Sequence, residues 1–163
     1  LLECARPKPP DMQPNDLHAI VHNVLDLIAT RVEAARVSVV LDLESRPVVF
    51  DCDKEQMMQV FLNLLLNALQ FVPVGGKLGI RIFHDAGALC ISVDDDGPGV
   101  PAAIREQIFD PFFSRREGGI GLGLTVVQQI VQAHGGDIRV GDSRWAGAAF
   151  NMRFPLSKVA GRT

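Results

Sequence analysis

Residues 60–71 read VFLNLLLNALQF, and this stretch decides the fold. Its side chains are apolar except for Asn63, Asn67 and Gln70, which recur at spacings of four and three. On a helix of 3.6 residues per turn those three share one narrow stripe. Asn is a mediocre helix former because its amide competes for backbone groups, and burying an amide without a partner costs about 1–3 kcal/mol. A stripe of carboxamides on an otherwise core-like helix therefore has a purpose. Two readings stay open at this level. The side chains cap neighbouring backbone, or their oxygens serve as hard neutral ligands for a metal–phosphate unit. Mg²⁺ is commonly held by one or two protein groups plus phosphates and waters, and an amide adds no negative charge to repel the phosphates.

Working outward, Asp53 is placed to cap this helix, with Gln56 three residues on in a capping-box arrangement. The helix stops at Pro73 and the paired glycines of VPVGG. Upstream, Asn15 or Asp16 caps an amphipathic helix whose apolar stripe is Leu17, Ile20, Val21, Val24, Leu25, Ile28 and Val32. VSVVLDL and PVVFD read as strands joined by the turn-like ESR. Downstream, KLGIRIFHD and ALCISVDD form a hairpin across Ala86-Gly87, and a loop-rich segment runs from Gly97 to Gly121 with a short helical stretch around AAIREQIF. A third helix is expected from about Leu122 to His134, stopped by Gly135 and Gly136, and DIRVGD and GAAFNMRFP close the chain as strands. Helices alternating with hairpins predict a two-layer α/β sandwich: a mixed, mostly antiparallel sheet covered on one face by about three helices.

Composition sets the class. A chain of 163 residues that is 47% hydrophobic suits one domain with a single core. A net charge of −3 and a pI near 5.8 argue against a nucleic-acid-binding face. No apolar run approaches the roughly 20 residues of a membrane span, and the first residues lack the apolar centre of a signal peptide. Cys4, Cys52 and Cys90 are too widely spaced for a disulfide framework or a zinc pattern. A cytoplasmic domain is expected. The proline-rich residues 1–14 read as a connector, 15–157 as the folded domain and 158–163 as a tail, and a start at Leu1 rather than Met reads as a piece of a longer protein.

Two glycine-rich stretches carry further chemistry. DDDGPGV (94–100) follows a strand directly, so its glycines either shape an acidic turn or let backbone approach a ligand. GGIGLGL (118–124) runs into the third helix, where exposed N–H groups and the helix dipole suit phosphate; a flexible linker is the alternative. No strand immediately precedes it, which fails the dinucleotide-binding context, and no P-loop is present. His18 and His22 lie one helical turn apart without a third ligand nearby, which is too little for a metal site.

Taken in order, NLLLNALQFVPVGG, DDGPG, IFDPFF and GGIGLGL resemble the N, G1, F and G2 boxes of the catalytic ATP-binding domain of bacterial sensor histidine kinases, within the superfamily that includes type II topoisomerase ATPases and Hsp90 chaperones. The resemblance spans nearly the whole chain and is nearest to nitrogen-regulator-type kinases. It implies that Asn67 coordinates Mg²⁺ bridging the ATP phosphates, that Asn63 lines the same pocket, and that Asp95 accepts a hydrogen bond from the adenine amine. Asn63 stands where the ATPases of the superfamily place a catalytic Glu, and an amide cannot act as a general base. Gly97 and Gly99 would begin a mobile lid over the nucleotide, with Phe109, Phe112 and Phe113 as its anchor. Gly119, Gly121 and Gly123, with Leu122 and Leu124, would form the second glycine box facing phosphate.

Departures from the family pattern are specific. Gln70 and Val72 stand where Lys or Arg and Ser or Thr are usual, Ile120 replaces a common Thr, and GAAF replaces a threonine-containing closing motif. Arg116 occupies a usual Lys position and would supply the cation that Gln70 lacks. No histidine of the chain has a phosphoacceptor context. The resemblance thus implies transfer of the γ-phosphoryl of ATP to a His on a separate dimerisation domain, then to the receiver domain of a response regulator. The isolated domain would be monomeric and the parent a homodimer, with no nucleic-acid partner. The rival readings are an ATPase of the same superfamily and a pseudokinase acting as a nucleotide-gated interaction module.

Overall fold

The computed structural model describes residues 8–113 and 123–156. The elements run β1 (Gln13–Asp16), α1 (Leu17–Ala34), β2 (Ser38–Leu43), β3 (Val49–Cys52), α2 (Lys54–Phe71), β4 (Lys77–Asp85), β5 (Ala88–Asp95), α3 (Gly123–Ala133), β6 (Asp137–Asp142) and β7 (Ala148–Pro155), with single 3₁₀ turns at Ala102–Ile104 and Gln107–Phe109. Five strands form one sheet in the order β2-β4-β5-β7-β6. Only the β2–β4 pairing is parallel; the others are antiparallel. The expected sandwich is therefore present, with α2 packed between α1 and α3.

Strand periodicity explains the layering. On β5, Leu89, Ile91 and Val93 alternate into the core, as Leu78, Ile80 and Ile82 do on β4 and Phe150, Met152 and Phe154 on β7. The core is closed from the helical side by Leu17, Val21 and Val24 of α1, Phe61, Leu64 and Leu65 of α2, and Val127, Ile130 and Val131 of α3. The same alternation carries Asp95, the last residue of β5, onto the helix-facing side and Asp94 onto the other. Among the described residues no helix is long and apolar enough to cross a membrane.

Three local expectations change in the folded chain. The strand 49–52 does not form a hairpin with 38–43. It leaves the main sheet and pairs antiparallel with Gln13–Asp16, so that Gln13 and Pro14, expected in the connector, lie in a ladder. The capping box at α2 is half formed: Asp53 Oδ1 accepts from the Gln56 N–H at 3.0 Å, but the Gln56 side chain donates to the Lys8 carbonyl. The Asp53 N–H goes instead to His134 Nε2 at 3.0 Å, tying the end of α3 to the start of α2. The short helical stretch around 102–109 is two 3₁₀ turns rather than one helix.

Candidate functional site

The carboxamide stripe is not in the core. Burial on α2 falls on Met57, Val60, Phe61, Leu64, Leu65 and Ala68, while Asn63 and Asn67 are half-buried and Gln70 is exposed. The stripe therefore runs along the margin of the helix, where a side chain can meet both protein and ligand. Asn63 Nδ2 donates to the carbonyl of Gly123, the first residue of α3, at 3.2 Å. That bond binds α2 to α3 and leaves the Asn63 oxygen for another partner. The Asn67 carboxamide, one turn on, takes no hydrogen bond among the described residues.

Asp95 sits at the end of β5, 4% exposed. Its Oδ1 accepts from the backbone N–H groups of Gly97 at 2.9 Å and Ala148 at 3.2 Å. Its Oδ2 takes no hydrogen bond among the described residues. Burial pushes the carboxyl above its ordinary range, neighbouring Asp96 and Asp94 add to that, and the two N–H donors oppose it. Gly97 brings this carboxylate to the end of α2: a Cβ added there would lie 3.1 Å from both Asp95 Oδ1 and the Phe71 carbonyl oxygen. Gly99 follows in a left-handed conformation, φ +78°, which L side chains rarely adopt. The turn after β5 thus brings Asp95 beside the C-terminal end of the carboxamide helix.

Phe109 is buried and meets Phe150 edge-on, with ring centroids 6.3 Å apart. Its carbonyl accepts from the buried Thr125 Oγ1 at 2.8 Å, so the 107–109 turn is fastened to α3. Phe113 packs partly against the core, whereas Phe112 is exposed. Gly123 and Leu124 open α3, with Leu124 half-buried against the core. Arg116, Gly119, Ile120, Gly121 and Leu122 lie outside the described residues.

Sequence reading missed the backing of Asp95. Ser143 Oγ donates to the Asp95 carbonyl at 2.5 Å, and Gly147 lies so close that an added Cβ would be 2.7 Å from Asp95 Oδ1. A Ser four residues before a glycine signals a turn, but nothing local says what it leans on. Trp145 is covered by the Arg144 guanidinium 4.4 Å from its ring centroid. Among the described residues, no group of three or more His, Cys, Asp or Glu is placed to hold a metal; His18 and His22 gain no third ligand.

The chain is similar to known proteins in sequence and in fold. Residues 52–158 match the model of the "Histidine kinase-, DNA gyrase B-, and HSP90-like ATPase" family. The signal transduction histidine-protein kinase AtoS of Escherichia coli (strain K12) is 36% identical over 164 residues, covering 100% of this chain and 27% of that protein. The chain therefore spans about a quarter of that relative's length. The nucleotide-free catalytic domain of the histidine kinase ThkA superposes with a TM-score of 0.82 at 25% identity, over 89% of this chain and 95% of that one. Full-length ShkA in complex with AMPPNP matches with a TM-score of 0.79 at 28% identity, over 93% of this chain and 32% of that one.

Proposed function

Because the chain belongs to the histidine kinase-, DNA gyrase B- and HSP90-like ATPase family, we propose that it is the ATP-binding catalytic domain of a sensor histidine kinase, one that passes the γ-phosphoryl of Mg-ATP to a His on a separate dimerisation domain. The observation that carries this reading is the Asp95 carboxylate. One oxygen is saturated by two backbone N–H donors while the other is left as an acceptor for an exocyclic amine. The AMPPNP held by ShkA supports an ATP-shaped ligand in this fold.

The residues present fit a magnesium nucleotide. Asn67 offers an unengaged neutral oxygen of the kind a hard cation takes alongside phosphates. Asn63, its nitrogen committed to Gly123, offers a second. Mg²⁺ held there would neutralise phosphate charge. Asp95 orients the base, and Arg116 with the glycines Gly119, Gly121 and Gly123 is assigned to the phosphate end. Gln70, on the last turn of α2, borders the same region. The chain's own contribution is positioning and charge neutralisation, which is most of what phosphoryl transfer demands. Asn63 cannot take a proton from water, so hydrolysis is not assisted at that position and the phosphoryl is kept for a protein acceptor. A response-regulator receiver domain is the expected final acceptor.

The test has three parts. The purified domain should bind ATP and ADP with Mg²⁺, release phosphate only slowly, and label a separately supplied phosphoacceptor domain while leaving itself unlabelled. Rapid steady-state phosphate release would favour an ATPase instead. Nucleotide binding without transfer to any phosphoacceptor domain would favour a nucleotide-gated interaction module.

A further inference from the structure

The turn between β6 and β7 is built around one hydroxyl. Ser143 is 9% exposed, and its Oγ donates to the Asp95 carbonyl oxygen at 2.5 Å while accepting from the N–H groups of Trp145 at 3.1 Å and Gly147 at 2.9 Å. Its donor and both its acceptor positions are thus used. The Ser143 N–H closes the turn onto the Gly147 carbonyl at 2.9 Å. Gly147 then lies flat against Asp95, where a Cβ would come within 2.8 Å of the Asp95 carbonyl carbon. The next residue, Ala148, donates its N–H to Asp95 Oδ1 at 3.2 Å. On the opposite face of the sheet, Arg144 Nε meets the buried Asp94 Oδ2 at 3.2 Å. The turn is gripped from both sides of β5.

From this arrangement we infer that Ser143 is a positioning residue for base selection: it ties the 143–147 turn to the Asp95 backbone, and so holds the Ala148 N–H on Oδ1 and turns Oδ2 toward the exocyclic amine of the base. The inference rests on Asp95 being the amine acceptor. Without the hydroxyl, the turn loses its bond to the Asp95 carbonyl and the two bonds from the Trp145 and Gly147 N–H groups, keeping the Ser143 N–H on Gly147 and the Arg144–Asp94 pair. Oδ1 then keeps the Gly97 N–H but loses the firm placement of the Ala148 N–H, and the carboxylate is held in its rotamer from one side only. The cost falls on ligands that use the carboxylate as an acceptor. A base with a carbonyl in place of the amine offers Asp95 no exocyclic donor and should lose little.

Inosine diphosphate is such a ligand, and comparing it with ADP separates positioning from general weakening. Both are titrated by calorimetry, at fixed Mg²⁺, against the unaltered chain and against Ser143→Ala, Ser143→Cys and Ser143→Thr. The unaltered chain should prefer ADP by about tenfold or more, the size of one hydrogen bond to a charged group. Ser143→Ala and Ser143→Cys should lower that preference to about threefold or less, chiefly by weakening ADP. The Cys variant fills the space of the hydroxyl with a weak donor, and so serves if the Ala variant fails to fold. Ser143→Thr restores the hydroxyl and should keep the preference. If the folded Ala or Cys variant weakens both ligands equally, or the Thr variant loses the preference, Ser143 is only structural and the inference is overturned while the Asp95 reading stands. If the unaltered chain binds both ligands alike, Asp95 is not the amine acceptor and both ideas fall.

Discussion

Replacing Asp95 by Asn sets stability against binding. The carboxylate is 4% exposed, and burial, reinforced by Asp96 and Asp94 and opposed by the N–H groups of Gly97 and Ala148, holds its pKa above the ordinary carboxylate range. A carboxyl whose folded pKa lies above its unfolded value of about 3.9 binds its proton more tightly in the folded chain. Its ionised form therefore opposes folding at neutral pH, and that opposition fades as the pH falls through the raised folded pKa. An amide carries no charge, and its oxygen still accepts from Gly97 and Ala148. Asp95→Asn should accordingly melt above the unaltered chain at pH 7, with the gap narrowing as the pH is lowered toward 4. Nucleotide affinity moves the other way, because an amide N–H₂ now faces the adenine amine. Losing one charge-assisted hydrogen bond costs about 1.5–3 kcal/mol, or about 10- to 150-fold in Kd. Thermal melts over that pH range and ADP calorimetry at pH 7 read the two effects separately. Unchanged ADP affinity in a folded variant refutes the amine-acceptor role. A melting temperature below that of the unaltered chain at pH 7, recovering at low pH, refutes the burial argument.

Asn67→Ala removes a side chain with no hydrogen bond among the described residues and raises helix propensity. It should fold with near-parental thermal stability yet lose the Mg²⁺-dependent part of its ATP affinity; titrations with and without Mg²⁺ that show unaltered metal dependence would defeat the ligand assignment. Gly147→Ala places a Cβ against the backbone of Asp95, which cannot swing aside as a side chain would. A loss of about 1–3 kcal/mol in urea denaturation is expected, together with weaker ADP binding, and a neutral result would mean that the 143–147 turn is not seated on β5. Thr125→Val strips the buried Phe109 carbonyl of its donor and should cost about 1–3 kcal/mol; a change within about 0.5 kcal/mol, ordinary for a surface site, would show that the 107–109 turn is held by its phenylalanine alone.

Much of this molecule is written locally. Asp16 and Asp53 cap the helices they precede, the hairpin turns at Ala86-Gly87, and the period-two pattern of β5 delivers Asp95 to the helix-facing side. Each depends on residues within a few positions of one another, so periodicity, capping and turn chemistry suffice to find it. The contacts that decide how the site works are of another kind. β3 pairs not with β2 but with Gln13–Asp16, a partner far back in the chain that local patterning does not reveal. The Asp53 N–H went to His134, 81 residues away. The donors that reach Asp95 from the far turn, Ser143 and Ala148, are separated from it by 48 and 53 residues. A hydroxyl or a glycine in such a turn has the same local signature whatever it touches. Its partner is fixed only when the sheet registers β5 against β7 and brings Ser143 and Ala148 to 2.5 and 3.2 Å from their acceptors on Asp95.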